Sequence, residues 1–308
     1  MKQSSLNLNL SNRATRKQAF LDEMDRVVPW AALVELIAPY YPEGRNGWPP
    51  LALETMLRVH FMQQWFTLSD PAMEESFFDI PAYREFAQLE EFARLPDEST
   101  ILRFRHRLEQ HKLAEQILST VNELLTRKGL LLKVGTAVDA TLIAAPARCI
   151  RARRAKQWYF GMKAHTGVGA DSGLVHTARG SSGNVADITE ANSLPHGQEQ
   201  MVFAGAGYRG IEKRPDTSSN AKWHVARGLS KRRALNKENA ADALLDKAEK
   251  LKAGVRAKVE HPCQMIKRQF GHVKVRYRGL KKSTAQLLTL FALSNLWMGR
   301  SKLMGFGV

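Results

Sequence analysis

The stretch Arg256-Ala-Lys-Val-Glu-His-Pro-Cys-Gln-Met-Ile-Lys-Arg-Gln-Phe-Gly271 is the one on which the reading of this chain turns. Its spacing predicts one helix over 256–271 that stops at Gly271. Arg256, Glu260 and Lys267 stand at i, i+4 and i+11 and share one face, with Gln264 between them. One acid between two cations makes a poor core face. It suits a carboxylate placed over a metal ion, with basic groups beside a phosphodiester. A solvated helix with an ordinary i, i+4 ion pair accounts for the same spacing, so the stretch alone leaves both readings open.

A second acid stands far upstream. Gly135-Thr-Ala-Val-Asp-Ala-Thr141 reads as a strand that ends in a carboxylate, Asp139. Together the two stretches resemble the DDE transposases of bacterial insertion sequences, in particular the group named after insertion sequence five. That family's first Asp stands in a V-D-A-T strand, as Asp139 does. Its last Glu stands in an R-x-x-x-E-x-x-x-x-x-x-K helix, as Arg256, Glu260 and Lys267 do. The strings Arg268-Gln-Phe-Gly271, Arg276-Tyr-Arg-Gly-Leu280, Trp158-Tyr-Phe-Gly-Met-Lys-Ala-His165 and Leu53-Glu-Thr-Met-Leu-Arg-Val-His60 carry the likeness from the first helix to Trp297.

The resemblance implies a ribonuclease-H-like mixed α/β sheet with flanking helices over 131–308, preceded by an all-α DNA-binding and assembly domain over 1–130. It implies a transposase that cleaves and transfers strands at the ends of its own element. Asp139 and Glu260 would be catalytic and hold Mg²⁺, for which Mn²⁺ can substitute. Arg256 and Lys267 would bind phosphate or orient Glu260. The partners would be double-stranded DNA and the terminal inverted repeats of the element, with the protein a homo-oligomer in the DNA complex.

Two departures qualify this. The family's second acid belongs in a string reading A-D-A-G-Y. Here that string is Ala204-Gly205-Ala206-Gly207-Tyr208, and Gly205 has no side chain to bind a metal. Relatives also carry an acidic and polar insert after the position of Pro146. This chain has a basic run there containing Arg148, Arg151, Arg153, Arg154 and Lys156. It reads either as a DNA-contacting loop or as the scar of a deletion. The departures admit an alternative function, a catalytically inactive DNA-binding relative that represses transposition.

Composition agrees with a nucleic-acid partner. Lys and Arg number 46 against 30 Asp and Glu, a net charge of +16, which favours a polyanion. Cys149 and Cys263 are too few for a disulfide framework or a Cys-rich zinc site, which points to a reduced cytoplasm; the resemblance implies a bacterial one, at the nucleoid. The N-terminus shows no signal-peptide pattern. The most apolar stretch, 287–298, is interrupted by Thr289, Ser294 and Asn295, so no membrane span is expected.

The first 130 residues read as helices. Leu53, Leu57, Phe61 and Trp65 predict an amphipathic helix, with His60 a packed histidine rather than a metal ligand. Asp97 is placed to cap a helix that buries Ile101, Phe104 and Leu108. Arg103, Arg105 and Arg107 lie off that stripe, as a DNA-recognition face or as a solvated basic face. After Gly129 the period changes. Strands are expected at 134–142, 158–168, 174–179, 200–204 and 221–226, a short helix at 184–194, and helices at 240–251, 256–271 and 287–297. Period alone supports a mixed α/β domain. Asp187 is expected to cap or solvate the short helix, with substitution for the missing metal ligand as the alternative, Asp171 to serve a turn, and Lys163 and His165 to sit near phosphate or on the surface.

Overall fold

Prolines, capping side chains and one left-handed residue cut the first part of the chain into helices. Thr15 caps α1 (Arg16–Val27), and Pro29 separates it from α2 (Trp30–Ile37). Thr67, at φ 57°, ends α3 (Leu53–Phe66). Ser69 caps α4 (Asp70–Asp79), and Pro81 opens α5 (Pro81–Phe86). Asp97 caps α6 (Glu98–Gln110) as the sequence implied, accepting from the Thr100 amide at 2.7 Å. The Ser99 hydroxyl and that amide hold the Asp97 carboxyl down at about 2. α7 (Leu113–Arg127) closes before Gly129, whose φ of +69° suits a helix C-terminus. The computed structural model describes residues 15–44, 49–90, 92–132, 134–145, 151–154, 157–214, 221–228, 232–236 and 238–305, with the backbone alone at 151–154 and 157–160.

α3 departs from its expected amphipathic form. Residues 55–65 are buried all round, including Arg58, His60, Gln63 and Gln64. The helix runs through the middle of the helical layer, and several of its polar groups find partners there, while His60 Nδ1, Gln63 Oε1 and Trp65 Nε1 do not. Arg58 bonds Asp25, Glu54 and the Phe86 carbonyl, and lies 4.1 Å over the Trp30 ring. Gln63 bonds Asp70, and Gln286 bonds Gln64. His60 is a packed histidine, as expected, and burial lowers its pKa to about 3.

The strands are β1 (Gly135–Ala144), β2 (Arg151–Arg154), β3 (Gln157–Gly169), β4 (Val175–Ser182), β5 (Met201–Ala204) and β6 (Lys222–Val225). β1 is central. It pairs antiparallel with β3 and parallel with β5; β4 lies beyond β3, and β6 beyond β5. β2 pairs with the first residues of β3 and lengthens the hairpin outward. The short helix expected at 184–194 is instead two separate 3-10 turns, Asp187–Thr189 and Ala191–Ser193. The Ser193 hydroxyl takes the Glu190 carbonyl, and the Asp187 carboxylate is drawn to Lys163, so the local polar groups compete with a regular helix.

The two helices expected at 240–251 and 256–271 are one. α8 (Ala240–Gln264) passes Gly254 without a break, since nothing crowds that residue. Pro262 lies inside it and lacks an N–H to continue the ladder, and the chain widens into a π-turn over Met265–Gln269. Gly271 then turns the chain at φ +69°, with Thr67 so close that a Cβ there would crowd it.

α9 (Leu280–Leu303) holds the apolar stretch noted in the sequence. Residues 286–296 are fully buried, because α9 packs on α1, α3 and α7 on one side and on β4 on the other. The helical layer and the sheet therefore share one hydrophobic core. Among the described residues, no helix is long and apolar enough to cross a membrane.

Candidate active site

The polypeptide brings Asp139 and Gly205 side by side. β1 and β5 run parallel, with Val138 opposite Ala204; β5 ends there, so Gly205 follows beside Asp139, which stays inside β1 opposite Thr166 of β3. Neighbouring strands lie about 4.8 Å apart, which puts a side chain at 205 within reach of the Asp139 carboxylate. Open mixed sheets place ligands beyond the carboxyl ends of their strands, where the order switches. α8 crosses this end and supplies Arg256 and Glu260.

Arg256 reaches across to Asp139, at 3.7 Å, rather than along its helix to Glu260. That geometry removes the plain i, i+4 ion pair as the account of this stretch. Burial pushes the Asp139 carboxyl above its usual range; the Arg256 guanidinium opposes that shift, while Asp187 and Glu260 add to it. Asp139, Glu260, Asp187 and Arg256 thus form one electrostatic cluster. A carboxylate pushed up by burial and by like charge is one that a cation would relieve.

Gly205 has φ −72° and ψ 171°, ordinary extended backbone that any residue adopts. A Cβ there would stand 3.3 Å from Arg256 Nε and 3.4 Å from its Cζ. Arg256 Nε is buried and has no hydrogen-bond partner. The side-chain space above Gly205 is therefore taken by a guanidinium whose inner N–H lacks an acceptor.

Around this centre, Lys267 docks the π-turn onto β1 by donating to Thr141 Oγ1 at 2.6 Å and to the Leu142 carbonyl at 3.0 Å. Lys163 donates to Asp187 at 2.8 Å and to the Val185 carbonyl at 2.7 Å. Asp187 is thus neither a helix cap nor a solvated acid, because its helix is absent. His165 is fully buried, with Nε2 against Ser181 Oγ at 2.7 Å, which excludes the surface reading. Cys263 is buried beneath Glu260, and burial pushes its thiol up to about 12, so it is inert.

Tyr208 was quoted in the sequence only as part of a string. Its side chain is 1% exposed, its hydroxyl has no partner, and burial together with Asp139 and Asp187 raises its pKa. The A-x-A-G-Y string was the available signal for it.

The arginines of α6 separate by role. Arg105 is buried and donates two hydrogen bonds to the Asp70 carboxylate, at 2.6 and 2.9 Å, with its guanidinium 4.5 Å over Tyr277. It serves the fold. Arg103 and Arg107 line an open groove with Arg94, Tyr41 and Pro50. The backbone of Arg151, Arg153 and Arg154 forms β2, and their side chains lie outside the described residues. Arg148, Cys149 and Lys156 also lie outside them.

The sheet order β4-β3-β1-β5-β6, with the first three strands antiparallel and the rest parallel to β1, and a carboxylate midway along β1 that feels one on a late helix, fits a ribonuclease-H-like core. A family profile described as Transposase DDE domain matches residues 131–296, and one described as Transposase domain (DUF772) matches residues 8–107. The chain belongs to the DDE transposases. The family's chemistry uses a divalent metal and acts on DNA at element ends. No solved structure matches the chain.

Proposed function

We propose that this transposase uses Asp139 and Glu260 as its metal-holding carboxylates, and that the glycine at 205 leaves it slow at cleaving the ends of its own element. The observation that carries the second part is the orphaned Arg256 Nε directly over the Gly205 backbone. An acid at 205 would accept from it. Without one, Arg256 leans on Asp139.

The donor set fits one hard divalent cation, of the Mg²⁺ class with Mn²⁺ as substitute, between Asp139 and Glu260. A cation held there supplies Lewis-acid activation and charge neutralisation at the phosphodiester. The full two-metal arrangement calls for a further carboxylate, and the chain offers none at 205. Arg256 also competes for Asp139, since its positive charge offsets the carboxylate that the cation would use. Lys267 holds the turn after Glu260 against β1 and so fixes the distance between the two acids.

DNA binding falls to the basic surface. Arg103 and Arg107, with Arg94 beside them, would meet duplex phosphates, and the arginines of β2 would add contacts near the active site. Arg105 is left out of that set. Assembly as a homo-oligomer on paired terminal repeats and association with the nucleoid follow from the same reading. The match to a catalytic transposase domain favours this over the repressor alternative.

The test is cleavage and gel shift on the same variants. Asp139→Ala and Glu260→Ala should each abolish metal-dependent cleavage of element-end DNA and keep the affinity for that DNA within about twofold, since neither residue is placed to bind phosphate. Retained cleavage in either variant removes that residue from the catalytic set.

A further inference from the structure

A second group of metal-competent side chains stands at the start of β1. His176 lies on β4; His196 and Glu199 lie in the loop that leads into β5. One donor atom from each lies within 4.8 Å of the other two. His196 Nε2 is 3.3 Å from Glu199 Oε1. Two ligands about 2.0–2.1 Å from a shared tetrahedral ion are themselves separated by about 3.3–3.4 Å. One edge of a coordination shell is therefore already in place.

The hydrogen bonds around Glu199 point the same way. Glu199 is 3% exposed. Its carboxylate accepts from the His196 and Gly197 amides and from the Thr136 hydroxyl, which fix both oxygens in place beside the two imidazoles. Its ion-pair partner is the His196 ring, which carries charge only when protonated.

Hydroxyls orient the donors. Thr136 Oγ1 donates to Glu199 Oε1 at 2.9 Å and so accepts from His176 Nε2 at 3.0 Å, which holds both groups toward a common point; His176 Nδ1 lies 2.9 Å from Thr177 Oγ1, and moving the ring proton to Nδ1 would free Nε2 for a metal. His196 Nδ1 accepts from the Gln198 amide at 3.3 Å, so metal capture through Nε2 shifts the ring proton and loosens that long contact.

We propose that His176, His196 and Glu199 form a second metal site, of the zinc class, separate from the carboxylate pair at Asp139 and Glu260. Two imidazoles with one carboxylate suit Zn²⁺ and disfavour Mg²⁺. His176 and His196 also line a groove of about 640 Å³ along α7, which leaves the fourth position to water. Thr136 and Glu199 flank the starts of β1 and β5; Asp139 stands midway along β1, and Gly205 follows the end of β5. Three residues of strand separate Thr136 from Asp139, about 10 Å. The site is therefore a tie that sets how β5 lies against β1, not a reacting centre.

The experiment uses the full-length chain, as wild type and as the Asp139→Ala/Glu260→Ala double variant, which removes the other carboxylates. Each is loaded with Zn²⁺ or Co²⁺ and dialysed, then read by metal analysis, by the visible absorption of Co²⁺ and by thermal unfolding. The expected result is one tightly held Zn²⁺ in the double variant, Co²⁺ bands of low coordination number and a raised Tm. On the same background His196→Ala should lose the ion, the bands and the metal-dependent Tm rise, with circular dichroism confirming that it folds. His176→Gln serves as the second variant should His196→Ala unfold. Folded double variant that holds no stoichiometric Zn²⁺, or a histidine variant that holds it equally well, overturns the proposal.

Discussion

Two aspartate–arginine pairs in this molecule have opposite character. Asp70 and Arg105 meet in the helical layer through two bonds of 2.6 and 2.9 Å, and although burial opposes it, the Arg105 and Gln63 bonds bring the Asp70 pKa down. Asp139 and Arg256 meet midway along β1 at 3.7 Å, and burial keeps the Asp139 pKa up. The first pair is satisfied and rigid. The second is loose, and its arginine has an inner N–H with nowhere to go. A charge pair that stabilises a fold is closed to further partners, whereas a pair in a reaction centre is left wanting one.

Removing one arginine from each pair tests that contrast most strongly. Arg105→Ala leaves Asp70 buried without its partner, and should cost about 3–5 kcal/mol in urea unfolding. Arg256→Ala should cost about 1 kcal/mol or less, because it breaks a single loose contact at 3.7 Å rather than two short hydrogen bonds. Equal costs would erase the distinction.

A smaller effect concerns pH. The folded-state pKa of Asp139 is raised, so whatever stability its carboxyl contributes is present below the unfolded value and is lost as pH rises through the folded one. Asp139→Asn should therefore raise the Tm of metal-free protein at pH 7, and the gain should vanish at pH 3. For Asp70 the sign is reversed: its lowered pKa contributes stability above the unfolded value, lost as pH falls. Asp70→Asn should lower the Tm at pH 7. A fall in Tm for Asp139→Asn at pH 7 would show that its pair with Arg256 is as stabilising as the one in the helical layer.

The same contrast explains what the sequence could reveal. Asp139 and Glu260 were singled out by the family strings that carry them, and the fold sets both in one electrostatic cluster. Five of the six strands were legible from their period, within three residues of their ends; β2, in the basic run expected as a loop or a deletion scar, was not. What period cannot carry is who surrounds an element. α3 looked amphipathic from its leucines and aromatics, yet α9, from the other end of the chain, covers its remaining side. Arg103, Arg105 and Arg107 look alike in sequence, and only the approach of Asp70 and Tyr277 assigns Arg105 to the fold. The turns at 187–193 failed as a helix because Lys163, on another strand, claims Asp187. His176, His196 and Glu199 escaped notice because two segments meet at a third, the start of β1. The glycine at 205 was legible as a missing acid, but the guanidinium lying over it was not.

That glycine is the centre of the account. Its backbone admits an aspartate, and Arg256, whose flexible end is the nearest obstacle, needs to yield by only a few tenths of an ångström. The most direct measurement is the single-turnover rate of element-end cleavage in Mg²⁺ by the chain as it stands and by Gly205→Asp. A carboxylate that completes the metal set and draws Arg256 off Asp139 should raise that rate by at least about 100-fold, each tenfold step corresponding to about 1.4 kcal/mol of barrier. Equal rates for the two proteins would contradict the claim that Gly205 limits this transposase.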